Sequence, residues 1–294
     1  MNNTLKKIIL IPMNFLYIIN PKLELSLMFL LKNGYKMNWN NPITYNEKLQ
    51  WIKLYDKHEL MPICTDKYEV RKFVEECGCK EILNDLLWEG SDAKDIPFDK
   101  LPNQFVIKVT HGSGFNIICK NKKEIDWTKT IKKLNKWLKE KFIPCYGEWF
   151  YGVVKPRIII EKFLSDDNFT IPNDYKVWCF NGEPKYIMVY TGRFTQNKES
   201  MYDLEWKNIE CCRKGVDRGR PIEKPNNLEE ILEYSKKLSK QFNHDRVDFY
   251  IVNNKVYFGE ITFTDGAGFD KITPYSFDVE MGKWLKFENK LVDK

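Results

Sequence analysis

Residues 245–262 read DRVDFYIVNNKVYFGEIT. Val247 to Val252 and Lys255 to Phe263 are rich in β-branched and aromatic residues and flank Asn253-Asn254, a pair that tolerates the left-handed backbone of a tight turn. The stretch predicts a β-hairpin. Asp248 and Glu260 interrupt two strands that otherwise read as buried, and carboxylates facing each other repel. A divalent cation removes the repulsion, because Mg²⁺ takes one or two carboxylates together with phosphate oxygens. A strict two-residue turn would pair Asp248 with Gly259 and send Glu260 to the other face. A shared cation therefore predicts a looser turn or a bulge. The opposing reading leaves both carboxylates in solvent on an exposed sheet.

Working outward, Asp174 to Phe180 and Lys185 to Tyr190 predict a second hairpin around Asn181-Gly182. Arg157 to Phe163 (RIIIEKF) reads as a buried strand, and Gln104 to Thr110 (QFVIKVT) and Asn116 to Cys119 as two more. Helices are expected over about 126–142, 228–242 and 276–285. The front of the chain reads as mainly helical. Leu23 to Leu31 and Thr44 to Tyr55 have helical spacing, Thr44 and Glu47 form a capping-box pattern, and Asp66 opens a further helix. Helices followed by antiparallel hairpins argue an α+β fold. The expected organisation is a helical region over 1–100, a small lobe over 101–165 and a large lobe over 166–294.

Lys108 stands in an apolar strand among Val106, Ile107 and Val109. It either snorkels outward or meets an anion, since a buried lysine needs a partner. His111-Gly112-Ser113-Gly114 follows, and such loops expose N–H groups that cradle phosphate oxygens. There is no Walker A pattern, and an ordinary hairpin is the bland alternative. His111 is either a phosphate contact or a turn histidine. Arg193 is a candidate for a substrate carboxylate, because guanidinium forks suit carboxylates. Trp39, Trp51 and Trp206 are either core or a sugar wall.

The 294 residues are 43% hydrophobic and 30% charged, which excludes wholesale disorder. The net charge of +6 either suits phosphates or anionic sugars or is a lysine-rich solvated surface. With no basic helix and no zinc-finger spacing, no nucleic-acid partner is expected. The eight cysteines contain no CxxC pair and read as reduced thiols of a cytoplasmic protein. The apolar N-terminus is broken by Pro12, Asn14 and Asn20, too short to span a bilayer, and no cleavage site follows it. It either docks on the protein's own core or rests peripherally on the inner face of a membrane.

Together these segments resemble the ATP-grasp superfamily. FVIK at 105–108 with the HGSG loop resembles its lysine strand and phosphate loop. Arg246-Val-Asp248 with Glu260-Ile-Thr262 resembles the magnesium end of the D-alanine–D-alanine ligase branch. The combination of TYNEKLQW, DKYEVR, DYKVWCFNGEPK and GEITFTDGAGFDKITP is similar to the TupA-like, teichuronopeptide-synthesis branch. The resemblance covers about 30–285.

It implies an ATP-grasp fold whose antiparallel sheets sandwich ATP. It implies that Lys67 and Lys108 bind α- and β-phosphates and that Gly112, Ser113 and Gly114, with His111 beside them, close over the triphosphate. Glu161 would accept from the adenine amino group, with the backbone near Phe163 and Leu164 on the ring edge. Lys176 and Arg246 would neutralise the transferring phosphoryl group. Asp248, Glu260 and Thr262 would hold Mg²⁺, where Thr262 departs from the asparagine common in that branch. The implied reaction joins a carboxylate to an amine such as an amino acid through an acyl phosphate, in surface-polysaccharide synthesis. Asp265 to Gly268 would shape the acceptor pocket. The competing reading is a glycosyltransferase using a sugar nucleotide and a divalent metal; against it, the two carboxylates do not form a compact DxD.

Overall fold

The computed structural model describes residues 10–165, 172–192 and 197–287. The front is helical: α1 (Ile11–Ile19), α2 (Pro21–Asn33), α3 (Tyr45–Tyr55), α4 (Met61–Thr65) and α5 (Val70–Glu76). Local chemistry sets these boundaries. Asn20 caps α2 by accepting the Leu23 N–H at 3.0 Å. At α3 the capping box closes both ways, the Glu47 N–H donating to Thr44 Oγ1 and the Thr44 N–H to Glu47 Oε2, each at 3.1 Å. Asp66 accepts the Tyr68 and Glu69 N–H groups at 2.9 and 3.0 Å. It thereby forms a turn that delays α5 to Val70.

The smaller sheet joins β1 (Leu86–Gly90), β2 (Phe105–Val109), β3 (Asn116–Cys119) and β4 (Ile158–Lys162) in the antiparallel order β1-β4-β2-β3. It thus takes an outer strand from the otherwise helical front. Leu134 of α6 (Trp127–Trp137) buries against Phe105, Ile107 and Ile160. Asp126 caps α6 by accepting the Lys129 N–H at 3.0 Å. The helix stops short of the expected Phe142, because the apolar face gives way to Lys139-Glu140-Lys141 and Pro144 bars continuation.

The larger sheet is built from β5 (Asp174–Phe180), β6 (Glu183–Thr191), β7 (Lys198–Tyr202), β8 (Asn208–Ile209), β10 (Asp217–Arg218), β11 (His244–Val252) and β12 (Lys255–Thr262). Its path is β10-β7-β6-β5-β11-β12, with β8 beside β7, and only β10 and β7 pair in parallel. β9 (Cys212–Arg213) pairs with β13 (Ile272–Thr273). α7 (Leu228–Ser239) packs on β5, β6 and β11, and α8 (Tyr275–Trp284) on α3. Both long hairpins turn through two left-handed residues, Asn181 (φ 53°) with Gly182 (φ 79°), and Asn253 (φ 49°) with Asn254 (φ 60°). This is the twist that two-residue hairpins need. All eight cysteines are free thiols.

Candidate active site

The β11–β12 hairpin has the tight turn and the bulge together. Val252 pairs with Lys255, Phe249 with Phe258, and then the register slips so that Asp248 pairs with Glu260. Gly259 is the extra residue. A Cβ there would lie 2.9 Å from the Asp248 carbonyl oxygen and 3.2 Å from the Tyr250 ring, so the bulge closes only over glycine. Without the slip, strand alternation would turn Glu260 away from Asp248.

Arg246 lies two residues before Asp248 and so shares its face. Its Nε and Nη2 reach Asp248 Oδ1 and Oδ2 at 2.7 and 2.8 Å. Nη2 also donates to Thr262 Oγ1 at 3.2 Å and lies 3.6 Å from Glu260 Oε1, while Nη1 binds Asp265. Lys176, directly opposite Asp248 on β5, pairs with Asp248 and, at 2.8 Å, with Asp174. Arg213 pairs with Asp265 and, at 3.1 Å, with Glu199. Asp248, Lys176, Arg246, Asp265 and Glu199 are all buried. Glu260 is the open member, its side chain 43% exposed, with Lys67 Nζ 4.0 Å away. Lys67 also donates to the Gly112 carbonyl at 2.8 Å, tying the glycine loop to this cluster.

Charge follows geometry. Burial pushes the Asp248 carboxyl above its ordinary range against the pull of Arg246 and Lys176. Burial would raise Glu260 as well, but Lys67, Lys176, Arg246 and Lys108 together hold it below the usual range. Burial draws the Lys67 ammonium down. Glu260 is thus an ionised carboxylate facing a cleft ringed by cations.

That cleft is a cavity of about 570 Å³ shared by His111, Gly112, Ser113, Arg246, Glu260 and Thr262. Gly114 (φ 80°) shapes the loop. Asp265 to Ala267 form part of the floor, and Phe142, Tyr146, Tyr151 and Phe269 supply an aromatic wall. A second cavity, of about 80 Å³, is lined by Lys108, Glu161, Phe163, Leu164 and Tyr250. There Lys108 Nζ lies 2.6 Å and Arg71 Nη1 3.3 Å from the two Glu161 oxygens. Of the residues named from sequence, Lys108, Glu161, Phe163 and Leu164 line the smaller hollow and His111, Gly112, Ser113, Arg246, Glu260 and Thr262 the larger one, whereas Lys67, Gly114, Lys176 and Asp248 line neither. His111 lines the cleft with its ring anchored to backbone, its Nε2 bonding the Glu140 carbonyl oxygen at 2.8 Å. Arg193 lies outside the described residues. The tryptophans pack: Trp51 stacks on Phe287 at 4.1 Å, Trp206 on Tyr202 at 4.2 Å, and Trp39 sits edge-on to Tyr55.

Sequence reasoning passed over Asp174, Glu199, Arg213, Glu148 and Lys53. Glu199 could have been noticed as an acid among inward-reading strand residues. Lys53 could have been noticed as a lysine on the apolar face of α3, where it is 1% exposed. Its Nζ donates to Gln50 Oε1 at 2.8 Å and to the Ala267 carbonyl at 2.5 Å, and sits 4.2 Å from the Phe269 ring centre. Glu148, which accepts from Thr264 Oγ1 at 2.5 Å, is pushed up by burial.

Asp248, Glu260 and Thr262 offer the hard oxygen donors that Mg²⁺ takes. Among the described residues no group of three or more His, Cys, Asp or Glu side chains could hold a metal by itself. Asp248 is already engaged by Arg246 and Lys176. Glu260 and Thr262 are the donors open to the cleft, and so few protein donors fit a cation that arrives with phosphate oxygens.

A lysine strand beside a glycine loop, together with an acidic bulged hairpin on a second, largely antiparallel sheet, defines an ATP-grasp fold. A family profile described as TupA-like ATPgrasp matches residues 47–286, and the chain belongs to that family. No curated protein matches it. Solved structures similar to it include D-alanine–D-alanine ligase from Bacillus anthracis complexed with ATP (19% identity, 76% of this chain and 66% of that one, TM-score 0.45). The corresponding ligase from Helicobacter pylori is 17% identical over 82% of this chain and 69% of that one, with TM-score 0.44. An L-amino acid ligase from Bacillus licheniformis is 12% identical over 76% and 47%, with TM-score 0.45. The chain thus spans about two thirds of the length of the first of these ligases.

Proposed function

We propose that the chain is an ATP-dependent ligase that activates a carboxylate as an acyl phosphate and transfers the acyl group to an amine. The observation that carries this is the bulge that sets Asp248 against Glu260 beside Arg246, Lys176 and Lys67, at the edge of the cleft under the glycine loop. Lys108 and Lys67 hold the α- and β-phosphates. Glu161, with the backbone of Phe163 and Leu164, holds adenine in the smaller hollow. Asp248, Glu260 and Thr262 hold Mg²⁺, which when bound neutralises phosphate oxygens as a Lewis acid.

A substrate carboxylate oxygen attacks the γ-phosphorus and ADP leaves. Arg246 and Lys176 meet the charge on the transferring group, and their buried acidic partners hold them in place beforehand, so little reorganisation is needed. The amine then attacks the acyl carbon, phosphate departs and the amine gives up a proton. Gly112, Ser113 and Gly114 exclude water, whose attack would waste the acyl phosphate. Arg193 is our candidate for steering the substrate carboxylate.

We take the carboxylate to belong to a uronic acid of a surface-polysaccharide precursor, and the amine to an amino acid. This rests on the TupA-like motifs, and the ATP supply places the reaction in the cytoplasm. The test is ADP release by the full chain with ATP, Mg²⁺ and a panel of uronic and amino acids. Glu260→Gln is expected to abolish it with Tm unchanged, since Glu260 is the open carboxylate. Retained turnover in that variant ends the assignment.

A further inference from the structure

The helices α1 and α2 wear their apolar residues on the wrong side for a globular protein. Ile11, Phe15, Ile18 and Ile19 recur at i, i+4, i+7 and i+8 along α1, and Leu23, Leu27, Leu30 and Leu31 repeat the spacing along α2. All eight are exposed, from 38% to 74%. They are eight of the fourteen exposed large hydrophobic side chains among the described residues, within a span of two helices. Each helix has a second apolar face that does pack, through Met13 and Tyr17 and through Leu25, Met28 and Phe29. The outer stripes are surplus to the fold. Contiguous exposed apolar surface of this kind marks an interaction site.

Charge identifies the partner. Residues 1–46 contain five lysines and a single acid, Glu24. Glu24 is fully buried, whereas Lys22, Lys32 and Lys36 are exposed. The surface is therefore apolar and cationic with no exposed carboxylate among its described residues, the pattern of a helix lying in the interface of an anionic membrane. No helix among the described residues is long and apolar enough to cross a bilayer.

We propose that the α1–α2 pair is a docking surface for anionic lipid. Its position gives docking a use. Lys32 lines the 570 Å³ cleft, and Tyr17 lines an adjoining cavity of about 690 Å³ with His111, Glu148 and Tyr151. Each docking helix thus places one residue on a cavity of the site, and an acceptor carried on a lipid would meet the site without leaving the surface. That use rests on the ligase reading; the docking does not.

The test is co-sedimentation of the full chain, without ATP, with vesicles of phosphatidylcholine alone and of phosphatidylcholine doped with phosphatidylglycerol. Binding to the anionic vesicles is expected to be at least about tenfold tighter and to weaken with salt. Phe15→Ser combined with Ile18→Ser is expected to lose at least about tenfold. Lys22→Glu alone is expected to lose about tenfold at low salt. These positions are exposed, so circular dichroism and Tm should match the parent. Absent binding, equal binding to neutral vesicles, or parental binding by both variants overturns the proposal. So does a lipid-free dimer that the double variant dissociates, because the stripe would then be covered by a second copy.

Discussion

Gly259→Ala isolates what the bulge does. The added Cβ would stand 2.9 Å from the Asp248 carbonyl oxygen, inside the ~3.3–3.6 Å of even a close C–H···O approach, and 3.2 Å from the Tyr250 ring. The obstructing atom is backbone, so no side-chain rotation relieves it. The strands must part, or the hairpin must adopt the unbulged pairing that its two-residue turn already favours. Overpacking of this kind costs about 2 kcal/mol, a Tm drop of about 4–8 °C for a chain of this size. Either escape moves Glu260 from its place 3.6 Å from Arg246 and 4.0 Å from Lys67. A displacement of about an ångström in a phosphoryl-transfer site costs about a hundredfold in rate. Calorimetry and a coupled ADP assay on one preparation read both effects. Parental ADP release at a lowered Tm would refute the claim that the bulge aims Glu260. Parental values of both would refute the packing argument.

Asp248→Asn removes one carboxylate from a buried group holding Arg246 and Lys176, so a loss of about 3–5 kcal/mol in urea unfolding is expected beside the loss of ADP release. An unchanged urea midpoint would count against that cluster. Lys108→Met should raise the KM for ATP at least about tenfold with little change in Tm, because Arg71 still balances Glu161; an unchanged KM removes Lys108 from the nucleotide site. Glu24 is fully buried with neither oxygen hydrogen-bonded, and burial, opposed by Lys53, raises it from an ordinary 4.5 to about 8. Between those values the unfolded chain has released the proton that the folded one keeps, so this group's stabilisation falls as pH rises. The Tm of Glu24→Gln relative to the parent should therefore climb from about pH 5 to about pH 8, and a constant difference would exclude this titration.

What could be read from sequence was what local rules govern. Asn-Gly and Asn-Asn turns need left-handed residues, Thr44 and Glu47 satisfy each other within one helical turn, and strand alternation exposes any misplaced charge. The same rules set a strict turn against a looser turn or a bulge, and the structure combines the strict two-residue turn with a bulge at Gly259. The Glu199–Arg213–Asp265 chain was not legible, since it joins three segments that only the tertiary fold brings together. Lys53 was hidden for a related reason. Besides Gln50 one helical turn away, its partner is the backbone carbonyl of Ala267, 214 positions on, and a carbonyl leaves no mark in a sequence. The end of α6 was overrun because spacing alone does not weigh a lysine-rich turn ahead of Pro144.

Gln50 and Lys53 reach from α3 to the carbonyl oxygens of Ala267 and Gly268, in a turn whose Gly266, Ala267 and Gly268 all adopt left-handed φ. Chimaeras between relatives inherit a constraint from this contact. An exchanged front half must bring its own 264–270 loop, or the recipient's floor loses the amide and ammonium that fix its shape. The shape of the cleft floor and helix α3 are in that sense a single heritable unit, and diversification of one is expected to leave a compensating trace in the other.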